Sequence, residues 1–270
     1  MIGPNYLVFI PGRIKRDEAK IKATAAALNV SLYDAKIALG APGPRKLAAH
    51  AKETDAQAQA VALRQAGIAA FVVDKERFSR LPKIFKAVRA VENSSGLTFS
   101  IEAPPMPGDV LARTAELPQP KGLVRAVVLG LHTQTTTHKD RGSSKNRPTM
   151  TSRSRVQEPF VHLYADDPHT LLEIRGPKFE FAWLQNVSTL SGNARLQQLA
   201  QLLANFYAVP VDTTLFDTPD EVNAITAALN VDATTGRAGA GLATAASSSD
   251  DAPLAMAASR IIVYSRVFAA

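Results

Sequence analysis

"SLYDAKIALGAPGPRKL", Ser31 to Leu47, sets a helix start, an apolar stripe, two prolines and a basic exit in one short run. Ser31 is placed to accept a hydrogen bond from a first-turn amide, and Asp34 three residues on favours the positive end of the helix dipole. Leu32, Ala35 and Leu39 then recur at helical spacing as a buried stripe. Gly40, Pro42 and Pro44 end the helix, because proline cannot donate and restricts the residue before it. Arg45 and Lys46 follow that stop.

Upstream, "YLVFI" (Tyr6 to Ile10) is a short apolar run bounded by Pro4 and by Pro11-Gly12, the pattern of a buried strand. Ile21, Thr24, Ala25 and Leu28 repeat at helical spacing after Asp17, and Asn29 ends that helix. Downstream, Thr54 and Gln57 form a capping-box pattern for a third helix with a stripe of Ala58, Val61, Ala62 and Gln65, closing at Gly67. "IAAFVV" (Ile68 to Val73) returns as a strand. The order strand, helix, helix, helix, strand makes residues 1–75 a small α+β domain with its helices on one sheet face.

The run "LNVSLYDAKIALGAPGPRKL…TDAQAQAVALRQAGIAAFVV" resembles the C-terminal domain of the bacterial ribosomal stalk protein. Leu32, Ala35, Lys36, Ala41, Pro42, Leu47, Leu63, Ala66 and Gly67 fall on its pattern of Leu-x-x-Ala-Lys helix, Ala-Pro turn and Leu-x-x-Ala-Gly helix end. The ClpS protease adaptor shares that fold, and both use it to bind proteins without catalysis. The resemblance implies a recognition surface containing Lys22 and Lys36, with Ala25 standing where the stalk family has arginine. Arg45 and Lys46 extend the candidate protein-binding surface. A stalk protein is acidic and much shorter, so the resemblance carries fold and protein binding but not the ribosomal role.

Beyond Asp74 the pattern changes to short β-like runs between turns, giving a second, β-rich domain over 82–230. "KIFKAVRAVENSSGLTFSIEA" reads as a hairpin around Asn93-Ser94-Ser95-Gly96. "PPMPGDVLARTAELPQP" is an excursion and "GLVRAVVLGLHTQ" a strand. "PFVHLYADDPHTLLEIRG" is the clearest hairpin: Phe160, His162 and Tyr164 alternate with Val161 and Leu163. "KFEFAWL" alternates again, with Phe179, Phe181 and Trp183 assigned to the core. A helix from about Asn193 to Tyr207 carries Leu196, Leu199, Leu202 and Leu203 as one stripe. Strands followed by one amphipathic helix resemble a pleckstrin-homology-like antiparallel barrel capped by a helix. Thr218, Pro219 and Glu221 mark a further helix start. Residues 231–258 read as a flexible low-complexity tail, and 259–270, with "RIIVYSRVF", as a β-prone segment able to dock as an edge strand or mediate self-association.

The chain has 270 residues, 46% of them hydrophobic and 20% charged, which fits a folded two-domain protein. There is no cysteine, so disulfides, thiol nucleophiles and zinc-thiolate sites are excluded. No apolar run reaches bilayer-spanning length and the opening lacks a signal-peptide pattern, so the expectation is a cytoplasmic protein without a membrane partner. The formal charge of +7 suits an acidic partner, and much of it lies in "HKDRGSSKNRPTMTSRSR", read over 138–157 as a mobile basic loop. Arg141, Lys145, Arg147, Arg153 and Arg155 there are the candidate nucleic-acid contacts, although no aromatic residue is interleaved to stack on bases.

His132, His162 and His169 with Asp166 and Asp167 are the one histidine and carboxylate group that could hold a metal, but none has a recognised ligand spacing. No Gly-x-Ser-x-Gly elbow or supported Ser-x-x-Lys appears, and "GAPGPRK" lacks the ending and amide donors of a phosphate loop. The sequence therefore points to a protein without catalytic residues, cofactor or metal, binding a protein or peptide of unknown identity. The alternative is a nucleic-acid- or ribosome-associated factor using the basic loop.

Overall fold

The computed structural model describes residues 5–12, 14–15, 17–40, 44–79, 83–102, 114–140, 150–165, 170–181, 192–218, 244–250 and 252–265. It is an α+β protein with two sheets. The first unit runs β1 (Tyr6–Ile10), α1 (Glu18–Leu28), α2 (Leu32–Leu39), β2 (Arg45–His50), α3 (Glu53–Gln65) and β3 (Phe71–Asp74), followed by the short helix α4 (Lys75–Ser79). Its sheet order is β2-β1-β3, and both neighbours are antiparallel to β1.

The helix ends obey local chemistry. Asp17 accepts from the Lys20 amide at 2.7 Å and Ser31 from the Asp34 amide at 3.1 Å, satisfying first-turn donors of α1 and α2. Asn29, at φ 53°, closes α1 in the left-handed region that asparagine tolerates.

Three readings of this unit are corrected. Arg45 and Lys46 are not a loop exit: they open β2, an added edge strand whose Ile10–Arg45 and Phe9–Lys46 pairings supply the missing ladder bonds. The capping box is absent, since Lys52 is the N-cap of α3 and makes no side-chain bond there. The buried stripe of α3 is Ala56, Ala60 and Leu63, while Ala58, Val61, Ala62 and Gln65 are exposed. Alanines at 56, 58, 60 and 62 fit either helix face, and the long side chain of Leu63 decides between them.

The second sheet holds β4 (Lys83–Asn93), β5 (Gly96–Glu102), β6 (Thr114–Pro120), β7 (Ala126–Asp140), β8 (Met150–Tyr164), β9 (Thr170–Arg175) and β10 (Val211–Asp212), with α5 (Gly192–Tyr207) and α6 (Thr214–Asp217). Its order is β10-β7-β8-β9-β4-β5-β6, and β11 (Thr244–Asp250) pairs with the outer half of β7. The β4–β5 hairpin forms as read, with the Asn93 side chain accepting from the amides of Ser95 and Gly96 at 3.0 and 2.9 Å. The β8–β9 hairpin also forms.

The sheet is not a barrel. Closure needs the two end strands to pair, but β6 lies at one end and β10 at the other. The helix α5 lies flat on one face instead of plugging an opening, and buries Leu196, Leu199 and Leu203. Leu202 points away and is 37% exposed, so it leaves the stripe assigned to it.

Much of the presumed excursion and loop is strand. Residues 114–120 pair with β5, and 138–140 and 150–157 continue the β7–β8 ladder to Asp140–Met150. The unbroken pairing register replaces the mobile loop at those positions, and 141–149 lie outside the described residues. Of "KFEFAWL", Lys178 ends the 3₁₀ turn Gly176–Lys178 and Glu180 makes a single bridge with Arg89, so residues 178–181 are not the alternating strand read there, and 182–184 lie outside the described residues. Phe179 is buried as expected, and Trp183 lies outside the described residues. The helix start at Pro219 and Glu221 also lies outside them, although Thr218 closes α6.

The C-terminal part departs furthest from the sequence reading. Residues 244–250 are strand β11, and α7 (Ala252–Val263) occupies the place read as tail and terminal β-segment. Met256, Ile261, Ile262 and Val263 are buried against Leu7, Phe9, Phe71 and Val73 of the first sheet and against Val128, Phe160, Tyr164 and Leu171 of the second. Every position from Ala255 to Val263 is buried, which needs cover from both sides. Layers therefore follow as α1–α3, small sheet, α7, large sheet, α5, and 266–270 lie outside the described residues.

Gly130 is directly opposite Phe160 across β7 and β8, and a Cβ there would collide with the phenyl ring. That ring stacks on His162 at 4.2 Å between centroids. Gly130→Ala is expected to cost about 1–3 kcal/mol by overpacking, seen as a lower thermal midpoint. An unchanged midpoint would contradict this ring placement.

Candidate functional site

Large apolar residues on a surface are informative when they cluster. Val30, Leu32, Tyr33 and Ile37 are 40%, 53%, 71% and 57% exposed, within eight consecutive residues. The last three lie with Lys36 on the outward side of α2, since positions 32 and 36, and 33 and 37, are one helical turn apart. Ala35 and Leu39 face inward and are fully buried. Leu32 is thus corrected from core stripe to surface: a short helix packed through two small-footprint contacts leaves its first-turn leucine outside.

The lysines predicted from the resemblance are placed on this unit. Lys36 is exposed in the middle of the apolar face, and Lys22 is exposed on the adjoining α1, 2.6 Å from Glu18. Lys46 is exposed and Arg45 half-buried on β2. The structure brings Lys22 and Lys36 to neighbouring helices but sets Arg45 and Lys46 on the sheet edge. Sequence reading missed Tyr33 and Ile37; their signal is the apolar residue on the polar side of an otherwise assignable helix.

The nucleic-acid candidates divide. Arg153 and Arg155 occupy β8, whereas Arg141, Lys145 and Arg147 lie outside the described residues.

Among the described residues the histidines do not assemble as a group of ligands. His132 and His162 are buried on adjacent strands, while Asp166, Asp167 and His169 lie outside the described residues. Among the described residues no group of three histidines or carboxylates could hold a metal. His132 Nε2 is instead 3.1 Å from Glu158.

His162 belongs to a buried polar chain that sequence reading did not find. Tyr164 donates to Ser259 Oγ at 2.9 Å, Ser259 and His162 Nδ1 are 3.1 Å apart, and His162 Nε2 is 3.5 Å from Glu173 Oε1. Arg175 completes it, with Nη2 donating to Glu173 Oε1 at 3.1 Å and Nε 3.0 Å from Oε2. An ionised Glu173 only accepts, so Nε2 carries the imidazole proton and Nδ1 accepts from Ser259. From Tyr164 to Glu173 each donor then points the same way, and Arg175 donates to Glu173 from the opposite end.

The electrostatics agree with this assignment. Burial lowers the His162 pKa and keeps the imidazole neutral, despite the opposing influence of Glu173. Burial opposes ionisation of Glu173, but the hydrogen bond from His162 and the Arg175 guanidinium outweigh it and hold the carboxyl at about 2. Burial pushes the Tyr164 hydroxyl up.

A serine beside a histidine and a carboxylate has the composition of a nucleophilic site. Here Ser259 is 0% exposed and already receives the Tyr164 hydroxyl, so no substrate reaches it in this arrangement. The chain joins α7 to β8 and β9. A cavity of about 160 Å³ opens on the far side of Glu173, where Glu158, Arg175, Lys86, Lys178 and Glu102 line it and Lys178 pairs with Glu102 at 3.2 Å. Comparison with protein-family models, curated proteins and solved structures finds no match to this chain.

Proposed function

We propose that this chain is a non-enzymatic cytoplasmic adaptor that binds a protein or peptide through the outer face of α2. The observation carrying the reading is the solvent-exposed cluster of Val30, Leu32, Tyr33 and Ile37 around Lys36. Aromatic and aliphatic anchors supply most of the energy of protein interfaces, and a cation among them favours a partner with an acidic residue beside its apolar ones. Lys22 adds charge at the margin. The resemblance of the first domain to the stalk and ClpS domain supports the same use. No helix among the described residues is long and apolar enough to cross a membrane.

The test compares proteins captured from host lysate by the full chain and by Tyr33→Ser and Ile37→Asp variants. Because both side chains are exposed, the variants should melt within about 0.5 kcal/mol of the parent. A hot-spot role predicts roughly thirtyfold weaker binding of the captured partner for either variant. Equal capture by parent and variants would remove α2 as the binding surface.

A further inference from the structure

We propose that the outer half of the β7–β8 ribbon, with β11 beside it, is a second binding face, and that it takes the phosphate backbone of a nucleic acid. Thr135 pairs with Arg155, Thr137 with Arg153 and Lys139 with Thr151, in a ladder without a bulge. Antiparallel partners share a sheet face, and alternate residues along a strand share it too. These six positions therefore form one face. Strand β11 adds Ser249, Ser247 and Ala245 opposite Thr135, Thr137 and Lys139.

That face holds the positions of three cations and five hydroxyl residues, with no acidic position. The other face has Gln134, Thr136, His138 and Asp140 on β7 and includes Asp250 on β11, so both acidic positions of this arm fall there. Segregation of charge by strand parity concentrates positive potential on one side. On β8 the described positions pass from buried at Pro159 to half-buried at Glu158 and exposed at Gln157, Val156 and Ser154, so this strand runs out past the packed layers.

Guanidinium and hydroxyl groups suit phosphate oxygens. The face has neither an aromatic nor a large aliphatic position, so it lacks what inserts into a lipid interface or anchors a protein interface. A polymer of phosphates is the ligand that fits all of these features. Recognition by backbone charge alone predicts binding without sequence preference.

The test titrates the full-length protein into a fluorescent duplex of mixed sequence at several salt concentrations. Three phosphate contacts predict a slope of log K against log salt of about −2.7. Arg153→Gln and Arg155→Gln should each flatten the slope by about one, and the triple variant with Lys139→Gln should abolish it. A thermal melt checks that the variants stay folded. Slopes unchanged in folded variants, or equal binding of these variants and the parent to vesicles of anionic lipid with no duplex binding, would overturn the proposal. Tyr33→Ser should leave duplex binding intact, which separates this face from the one on α2.

Discussion

A chain ended at Asp250, lacking α7, is expected to lose cooperative folding at 25 °C. The helix removes Met256, Ile261, Ile262 and Val263 from water, besides several alanines. At about 1.5–3 kcal/mol for each large side chain, those four alone contribute roughly 6–12 kcal/mol, comparable with the whole stability of a typical domain. The loss is two-sided. Leu7, Phe9, Phe71 and Val73 become uncovered on one sheet, and Phe160, Tyr164 and Leu171 on the other.

The internal polar groups make the loss larger. Arg260 is 1% exposed, donates to the Phe78 carbonyl at 3.1 Å and lies 4.9 Å over the Phe78 ring. Ser259 links Tyr164 to His162, and removing the helix takes this partner from both side chains. Circular dichroism melts of the shortened chain should show a broad, low-amplitude transition, with strong binding of a hydrophobic dye. Adding a peptide of residues 251–270 should restore the transition in a concentration-dependent way, since a ligand of the folded state stabilises it by mass action. A sharp melt at the parental temperature without the peptide would show that α7 does not join the sheets.

Much of the architecture is legible from local patterns. Ser31, Asp17 and Asn29 mark helix ends by chemistry that operates within one turn, and the alternation at Phe160–Tyr164 fixes a strand face. The reading fails where the deciding interaction is distant. Alanine and serine between 231 and 258 resemble a linker by composition, and Ile261-Ile262-Val263 resembles a strand by propensity, yet tertiary burial makes 252–263 one helix. A usable signal lay elsewhere, in "YLVFI". Val8 and Ile10 serve one face of β1 while Leu7 and Phe9 serve the other, so the helices on one side leave an apolar face still to be covered. The site follows the same logic. Lys36 is visible in sequence, but the exposure of Leu32 depends on how α2 tilts into its neighbours, and Ser259 stands 97 residues from His162.

Acidification from pH 8 is expected to lower the thermal midpoint in two steps, both traceable to the buried chain. Burial depresses the pKa of His162 below its ordinary 6.5. As pH falls through 6.5 the unfolded chain takes up a proton at this position before the folded one does, so stability is lost with decreasing pH. Protonation would also place a donor on Nδ1, where Ser259 now donates, and reverse the link between His162 and Ser259 while Nε2 still donates to Glu173. Glu173 acts lower down. Its carboxyl titrates at about 2 in the folded protein against an ordinary 4.5, so its contribution is complete above 4.5 and drains away between 4.5 and about 2. That interval corresponds to on the order of 3 kcal/mol. His162→Phe should remove the first step and shrink the second, because it takes away the hydrogen bond that does most to lower the Glu173 pKa, while Glu173→Gln should flatten the second at a lower overall midpoint because it breaks a buried pair with Arg175. Melts of the three proteins at half-unit pH intervals distinguish these outcomes. If His162→Phe retained the parental loss between pH 7 and 5, another group would control it and the neutral, donor-ordered chain assigned to His162 would be wrong.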